Sequence, residues 1–199
     1  RGLGDVYKRQ KMKSDKLADY ILVGELSLDG SLQPVKGVLP IAIKARKQKF
    51  KGIIVPKANE HEAAVVDTLE VYGMNNILEV INFLNGESAP KPYTVDTRKE
   101  FYEQQYQFEL DFADVRGQEN VKRALEVAAA GGHNLIMIGP PGSGKSMMAK
   151  RLPSILPPLS LSESLETTQI HSIAGKLKRN SGLITQRPFR SPHHTISEA

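Results

Sequence analysis

The segment at residues 139–150, GPPGSGKSMMAK, carries the residues of this chain that are best suited to chemistry. It matches the pattern G-x-x-x-x-G-K-[S/T], with an apolar stretch before it and a helical pattern after it. Gly142 and Gly144 allow backbone angles and a close approach that side chains would block, so that successive N–H groups can converge on phosphate oxygens. The Lys145 ammonium would reach the β and γ phosphates, and the Ser146 hydroxyl would bind Mg²⁺. The pattern therefore predicts a site for ATP and Mg²⁺ with Lys145 as its catalytic residue, built from Gly139, Pro140, Pro141, Gly142, Ser143, Gly144, Lys145, Ser146 and Met147.

ATP hydrolysis on such a loop also requires an acidic residue at the end of a second core strand. Between Met147 and Ala199 the sequence has no Asp, and its Glu163, Glu166 and Glu198 do not end an apolar strand. We therefore expect this Walker B acid to lie outside these residues.

Composition excludes several other kinds of site. The chain has 199 residues, of which 40% are hydrophobic and 25% charged, as in ordinary globular proteins. It contains no cysteine, which excludes disulfides, thiolate metal sites and thiol nucleophiles. Its five histidines have no carboxylate at zinc spacing, so no metal site is expected beyond Mg²⁺ bound with nucleotide. No apolar stretch approaches the roughly 20 residues of a membrane span, and we expect a cytoplasmic protein without membrane contact.

The distribution of helix and strand signals predicts two domains and a linker. Residues 1–10, RGLGDVYKRQ, include the translation of a transposon end used in sequencing libraries, so we expect a sequencing scar and exclude it from the fold. Residues 11–86 alternate strand and helix signals, which favours an α/β domain with parallel pairing in its second half. Residues 87–99 hold two prolines among charged and small residues and are typical of a linker. The second domain is then expected at 100–199.

Local signals within residues 11–86 predict individual elements. The Asp29-Gly30 pair between alternating segments predicts a hairpin. A helix follows whose apolar positions share one face, namely Val38, Ile41, Ala42 and Ala45. KGIIVP and LEVYGM are predicted strands. Asn59 and Asn75 should cap the two remaining helices, and Gly86 should end the second of them.

Similar signals place the phosphate loop in the second domain. In RGQENVKRALEVAAAGGHN, Val121, Leu125 and Ala128 lie on one helical face, and Gly131 and Gly132 should end that helix. The following stretch, LIMIG, is predicted to be the strand that delivers the loop.

Two long segments resemble a known family. FADVRGQENVKRALEVAAAGGHNLIMIGPPGSGKSMMAKRLPSILPPLS and GLITQRPFRSPHHTIS are similar to the AAA+ module of the magnesium-chelatase-like ComM/YifB family. VGELSLDGSLQPVKGVLPIAIKARKQKFKGIIVPKANEHEAAVV resembles the Lon-protease-like domain that this family carries in front of its ATPase. The resemblance covers residues 15–199. It implies an α/β fold class in which a truncated Lon-protease-like domain precedes the first part of a P-loop AAA+ ATPase domain.

The resemblance also implies a function. Members of this family are expected to be homo-hexameric ATPases that move single-stranded or branched DNA in recombination and natural transformation. The alternative is a magnesium-chelatase-type motor for metal insertion or protein remodelling, although the Lon-like domain favours the DNA motor. The resemblance also implies that the sensor residues, arginine finger and lid helices lie outside this sequence, so that the chain by itself should bind nucleotide weakly at best and should not turn it over. Val115, Gly117 and Gln118 are similar to the family's adenine-side segment, but a plain helix start would also explain them.

The Lon-like part raises a third possibility, a peptidase with a Ser–Lys pair. The sequence follows the Lon pattern at Gly24, Glu25, Gly30, Pro34 and Gly37. Leu39, however, stands where the catalytic lysine belongs, and an alkyl side chain cannot accept a proton. The segment that carries the serine would precede residue 15. Since Lys36 and Lys44 are expected to face water, we expect a binding or assembly module instead of a peptidase.

A basic stretch at residues 176–194 is the remaining candidate site. Its charged side chains are all positive, namely Lys176, Lys178, Arg179, Arg187 and Arg190. A solvated loop would explain them. So would DNA contact, in which cations bind phosphates and the Phe189 ring stacks on a base. By resemblance, Arg187 and Arg190 could instead lie at a seam between subunits, and the sequence leaves these three alternatives open.

Overall fold

The computed structural model describes residues 15–177 and 182–189. They divide into two compact units. The first unit holds the described residues up to Arg98 together with those from Leu165 to Ile184, and the second holds Lys99–Ser164 and the described residues from Thr185 onward. The described residues between 165 and 184 thus group with the first unit. The domain bounds at 11–86, 87–99 and 100–199 stay a prediction.

The first unit is built on a parallel sheet. Its strands are β1 (Tyr20–Leu22), β2 (Glu25–Leu26), β3 (Leu32–Gln33), β4 (Gly52–Pro56) and β5 (Glu70–Met74). Strands β1, β4 and β5 pair in parallel in the order β1-β4-β5, with Tyr20 opposite Gly52 and Gly52 opposite Glu70. All five residues of β4 are buried, as expected for a central strand covered on both faces. The predicted α/β class with parallel pairing is confirmed.

The predicted hairpin is also present. Strands β2 and β3 pair antiparallel, with Leu26 opposite Leu32. At the turn, the Asp29 carboxylate accepts hydrogen bonds from the backbone N–H of Ser31 at 2.9 Å and from its hydroxyl at 2.7 Å. These bonds hold the pKa of Asp29 below its ordinary value. Gly30 has φ 87°, a left-handed conformation that glycine adopts without steric cost.

Three helices cover this sheet, namely α1 (Val38–Lys47), α2 (Glu60–Ala64) and α3 (Ile77–Asn85). Helix α1 buries Val38, Leu39, Ala42 and Ala45. The predicted face was therefore nearly right, but Leu39 is buried and Ile41 only half-buried. Leu39 points inward because it lies three residues before Ala42 on the helix, at a spacing that places both on one face.

Both predicted helix caps need correction. The side chain of Asn59 does not cap α2; it pairs with both backbone groups of Val35, at 3.0 and 2.9 Å. Helix α3 is capped by Asn76 instead of Asn75, because the Asn76 side chain accepts a hydrogen bond from the Glu79 N–H. Gly86, with φ 79°, ends α3 as predicted.

The segment predicted as a linker packs against the first unit over part of its length. Tyr93 forms a bridge with Val71, in which the Tyr93 N–H donates to the Val71 carbonyl at 2.7 Å. Val95 packs against the core, and the buried Thr97 hydroxyl donates to the Val65 carbonyl. These contacts anchor residues 93–97.

The second unit has helices α5 (Glu119–Gly131) and α6 (Lys145–Arg151), whereas α4 (Thr97–Gln104) and α7 (Leu161–Ile173) include residues of both units. The last helical residue of α5 is Gly131. Gly132 follows it as the C-cap, with φ 64°. The predicted face is partly wrong: Leu125 and Ala129 are buried, but Val121 is 37% exposed and Ala128 half-buried. A small core joins α5 to α6 through Phe112, Val115, Leu125 and Met148.

The strand predicted at LIMIG is not formed. Residues 133–140 have no regular secondary structure, and Ile136 and Ile138 are 84% and 89% exposed. A strand requires a neighbour that satisfies its backbone groups, and no described residue pairs with this stretch. Nor does any helix of the described residues have the length and apolar character to span a membrane.

Candidate nucleotide-binding site

The loop at residues 139–144 has the backbone shape that a phosphate cradle needs. Gly142 and Gly144 have φ 79° and 83°, in the left-handed region that side chains disfavour. A β-carbon placed on Gly142 would meet no described atom within 4 Å, so the space beside it is open. Gly144 is also the residue from which α6 starts. These glycines open the loop and turn it directly into a helix.

The side chain of Lys145 folds over this loop. Its ammonium donates to the carbonyls of Gly139 and Pro140, each at 2.8 Å, and to the Ser143 hydroxyl at 3.1 Å. Three oxygens thus hold the ammonium at the loop. Phosphate oxygens offer the same kind of acceptor with a full negative charge, which forms shorter and stronger hydrogen bonds. The loop residues therefore fit a polyphosphate chain.

A cleft of about 460 Å³ lies beside the loop. Gly139, Pro140, Ser143 and Lys145 of the loop line one part of its wall. Its remaining wall is mainly apolar and consists of Gln118, Asn120, Val121, Ala124, Leu125, Leu135, Ile136, Met137, Ile138 and Met148. An apolar wall next to a few converging polar groups is the usual composition of a small-molecule site.

The three residues predicted to lie beside the adenine base have different environments in the structure. Val115 is 3% exposed and packs in the core with Leu125. Gly117 and Gln118 have successive left-handed conformations, with φ 71° and 53°. Gln118 lines the cleft, and its side-chain amide donates to the Ser143 carbonyl at 3.2 Å. Sequence reasoning missed this contact with the loop, although the Gly-Gln pair before a helix was a signal of unusual backbone geometry.

The remaining loop residues lie at its rim. Pro141 and Ser146 are exposed, and Ser146 belongs to the first turn of α6 directly after Lys145. Met147 is 38% exposed. The Ser146 hydroxyl is therefore accessible to a cation that would arrive with nucleotide. No cluster of three or more metal-ligating side chains occurs among residues 15–177 and 182–189.

The basic stretch is only partly described. Lys178, Arg179 and Arg190 lie outside the described residues, and Lys176 is exposed after the end of α7. Arg187 donates to the Pro157 carbonyl at 2.8 Å and pairs with Glu163 at 3.4 Å. The structure thus gives Arg187 a local partner instead of leaving its charge to solvent.

Glu163, the partner of Arg187, belongs to the start of α7. Its carboxylate accepts hydrogen bonds from the Ser160 N–H at 2.8 Å and from the Ser160 hydroxyl at 3.0 Å. In return, the Glu163 N–H donates to the Ser160 hydroxyl at 3.2 Å, which completes a capping box. The bonds from Ser160, with a smaller contribution from Arg187, hold the pKa of Glu163 below its ordinary value.

The position expected for a Lon-type lysine is occupied by a fully buried Leu39. Its N–H donates to the buried carboxylate of Glu62 at 3.0 Å. The same carboxylate accepts hydrogen bonds from the Ser172 hydroxyl at 2.5 Å and from the Asn59 amide at 3.1 Å. Lys36 and Lys44 are exposed, as predicted. The sequence gave no indication of the Glu62–Ser172 contact, because these residues are 110 positions apart.

Two magnesium chelatase families match parts of this chain. Residues 111–199 match the family described as magnesium chelatase, subunit ChlI, and residues 3–59 match the family described as subunit ChlI of Mg-chelatase. An uncharacterized protein of Mycobacterium tuberculosis is 45% identical over 193 residues, which cover 96% of this chain and 37% of that protein. The chain thus spans less than two fifths of that relative's length.

Two further relatives match nearly the whole chain. The competence protein ComM of Haemophilus influenzae is 36% identical over 98% of this chain and 38% of its own length. The uncharacterized protein YifB of Escherichia coli is 41% identical over 94% of this chain and 36% of its own length. A shorter match is with Lon protease 2 of Bacillus subtilis, at 32% identity over 40% of this chain and 15% of that protein. By these matches, the chain belongs to the ComM/YifB family of magnesium-chelatase-like AAA+ ATPases with a Lon-protease-like part.

Proposed function

We propose that this chain is the ATP-binding part of an AAA+ motor ATPase. The observation that carries the proposal is the loop at residues 139–144, where two left-handed glycines and a lysine held by three oxygens form an open cradle. Membership of a magnesium-chelatase-like family supports the use of ATP and Mg²⁺. A mainly apolar cleft beside the cradle has room for a base.

Each loop residue has a distinct part in this proposal. The backbone N–H groups around Gly142 and Gly144 would bind phosphate oxygens, and Lys145 would exchange its carbonyl partners for the β and γ phosphates. The Ser146 hydroxyl would hold Mg²⁺. When bound, Mg²⁺ neutralises charge on the phosphates during transfer. Hydrolysis is proposed for the full-length protein, with a Walker B acid supplied from outside the residues described.

The substrate of the motor is proposed to be DNA, single-stranded or branched, with the full-length protein acting as a cytoplasmic homo-hexamer in recombination and natural transformation. Similarity to a competence protein supports this choice. The second candidate is a metal-insertion or protein-remodelling motor, which the match to a magnesium chelatase subunit favours. Binding of DNA by the purified full-length protein separates the two candidates.

The Lon-like part is proposed to be a binding or assembly module. Its similarity to a Lon protease supports the relationship. Peptidase chemistry is disfavoured because Leu39 cannot act as a base. In addition, the nearby Glu62 carboxylate accepts the Leu39 N–H at the start of α1.

The test of nucleotide binding is the variant Lys145→Ala in the full-length protein. Loss of the ammonium removes the main charged partner of the phosphates, so affinity for a fluorescent ATP analogue should fall about tenfold or more, and turnover should stop. Lys150→Ala is the matched control, because Lys150 is an exposed lysine on the same helix. Wild-type affinity and turnover in Lys145→Ala would contradict the proposal.

A further inference from the structure

We propose that Gln118 is a positioning residue of the phosphate loop, which holds the Ser143–Gly144 peptide in the orientation required for binding phosphate. This inference rests on the proposed nucleotide binding. It assigns Gln118 a role towards the phosphates instead of the adenine base.

The contact joins two parts of the second unit that are 25 residues apart. The Gln118 amide nitrogen donates to the Ser143 carbonyl at 3.2 Å. The same nitrogen would lie 3.8 Å from a β-carbon placed on Gly144, so it is close to Gly144 as well as to Ser143. The side chain therefore contacts the peptide unit that leads into α6.

Holding this carbonyl also orients an N–H group. The peptide bond is planar and trans, so the Gly144 N–H points opposite to the Ser143 carbonyl, away from Gln118. Gly144 has φ 83°, and glycine adopts left-handed and right-handed conformations about equally well. The glycine that shapes the loop consequently leaves this peptide free to rotate unless another group restrains it. The hydrogen bond from Gln118 is such a restraint.

Ser143 is restrained from a second side as well. Its hydroxyl accepts a hydrogen bond from the Lys145 ammonium at 3.1 Å, while its carbonyl is held by Gln118. Nucleotide would compete for Lys145, since phosphate is a stronger acceptor than a hydroxyl. When Lys145 turns to phosphate, the contact with Gln118 remains to fix this part of the loop.

The backbone of Gln118 has an unusual conformation, which the choice of variants must take into account. Gln118 has φ 53° at the start of α5, a left-handed conformation that has a steric cost for a residue with a side chain. Alanine would keep this cost and lose the amide, whereas glycine would relieve the cost and lose the same amide. Two variants therefore separate backbone strain from the hydrogen bond.

The experiment uses the full-length protein and three ligands: ATP, ADP and inorganic tripolyphosphate, which has no base. Affinities are measured by calorimetry for the wild type, Gln118→Ala, Gln118→Gly and Gln118→Glu, the last of which keeps the shape but cannot donate when ionised. Loss of one hydrogen bond should weaken all three ligands by a similar factor, about 3- to 10-fold, in Gln118→Ala and Gln118→Gly. Gln118→Glu should weaken them further, because its carboxylate also repels the phosphates. The KM for ATP should rise by the same factor. Arg123→Ala, on the exposed surface of α5, is the control and should bind all three normally.

The outcomes distinguish this inference from the proposal on which it rests. Weakened ATP and ADP binding with unchanged tripolyphosphate binding would make Gln118 a base contact and overturn the inference. Unchanged affinities in Gln118→Ala and Gln118→Gly would overturn the inference too. In that case the proposed function would stand, provided that the wild-type protein binds the nucleotides. A wild-type protein that binds none of the three ligands would overturn both.

Discussion

Replacing Glu62 with alanine should destabilise the first unit by about 3–5 kcal/mol. Glu62 is 9% exposed, and its carboxylate accepts three hydrogen bonds, from the Leu39 N–H, the Ser172 hydroxyl and the Asn59 amide. Hydrogen bonds to a charged group contribute roughly 1.5–3 kcal/mol each. The expected loss is smaller than their sum, because bonds in one network are not additive and water can replace part of them.

A second variant separates the charge from the shape of the side chain. Glu62→Gln keeps an oxygen for the Leu39 N–H and the Ser172 hydroxyl, but it turns an NH₂ group towards the Asn59 amide, so two donors face each other. We expect a loss of about 1–2 kcal/mol. Urea unfolding followed by circular dichroism gives the global values, and hydrogen exchange of the Leu39 amide reports on the bond itself.

The control is Glu25→Gln, which changes an exposed carboxylate in the same unit. Surface substitutions of this kind usually change stability by less than about 0.5 kcal/mol. A Glu62→Ala variant within that range of the wild type, with unchanged exchange of the Leu39 amide, would refute the assignment of Glu62 as the residue that holds the start of α1.

Three further predictions concern the other sites. The full-length protein should not cleave unfolded casein, because Leu39 replaces the proton-accepting lysine; cleavage that disappears on mutating a serine of the Lon-like part would contradict this. The pKa of Glu163 should lie below the ordinary value of 4.5, so its stabilising contribution should be present above that value and be lost as pH falls through the lowered pKa; in an NMR titration both Ser160→Ala and Arg187→Ala should raise this pKa, and an unchanged pKa in both variants would contradict the assignment. Replacing Lys178 and Arg179 with alanine should reduce the slope of DNA affinity against salt by roughly 0.7–0.9 per lost phosphate contact, measured by fluorescence anisotropy; an unchanged slope in an intact ring would place DNA contact elsewhere.

Arg187 is a poorer test of DNA contact than those two residues. Its guanidinium donates to the Pro157 carbonyl and pairs with Glu163, which itself caps α7. Removing Arg187 would therefore disturb the start of a helix as well as any contact with phosphate. The sequence could not show this, because the basic stretch and its acidic partner are 24 residues apart.

Features that depend on a single residue's backbone could be predicted from the sequence. The turn at Asp29-Gly30, the end of α3 at Gly86 and the left-handed glycines of the phosphate loop all follow from the freedom of glycine at positive φ. These conformations are local, so that neighbouring residues specify them without the rest of the fold. The parallel sheet was predictable for a similar reason, since short buried strands alternate with helices.

Features that depend on distant partners were not predictable. Asparagine is a residue type that often caps helices, but the Asn59 side chain instead hydrogen-bonds to the backbone of Val35, which is 24 positions away in the sequence. Helix α5 turns Ala129 inward where the pattern predicted Val121 and Ala128, because packing within the small core selects the buried face. The Glu62 carboxylate finds Ser172 only once the chain has folded. In each case the sequence supplied the side chain but not its partner.

Binding and hydrolysis of nucleotide have separate requirements at the phosphate loop. The loop has its left-handed glycines and its contacts to Lys145 even though the stretch before it forms no strand with the residues described. The proposed binding would therefore depend on short-range geometry at residues 139–146, with Gln118 holding the Ser143 carbonyl. Hydrolysis needs a carboxylate near the phosphates, and among the described residues none that lines the cleft is acidic. A chain that binds ATP without turning it over would thus agree with the proposed site, whereas multiple turnovers by residues 11–199 would require an acid within this chain that the cleft does not show.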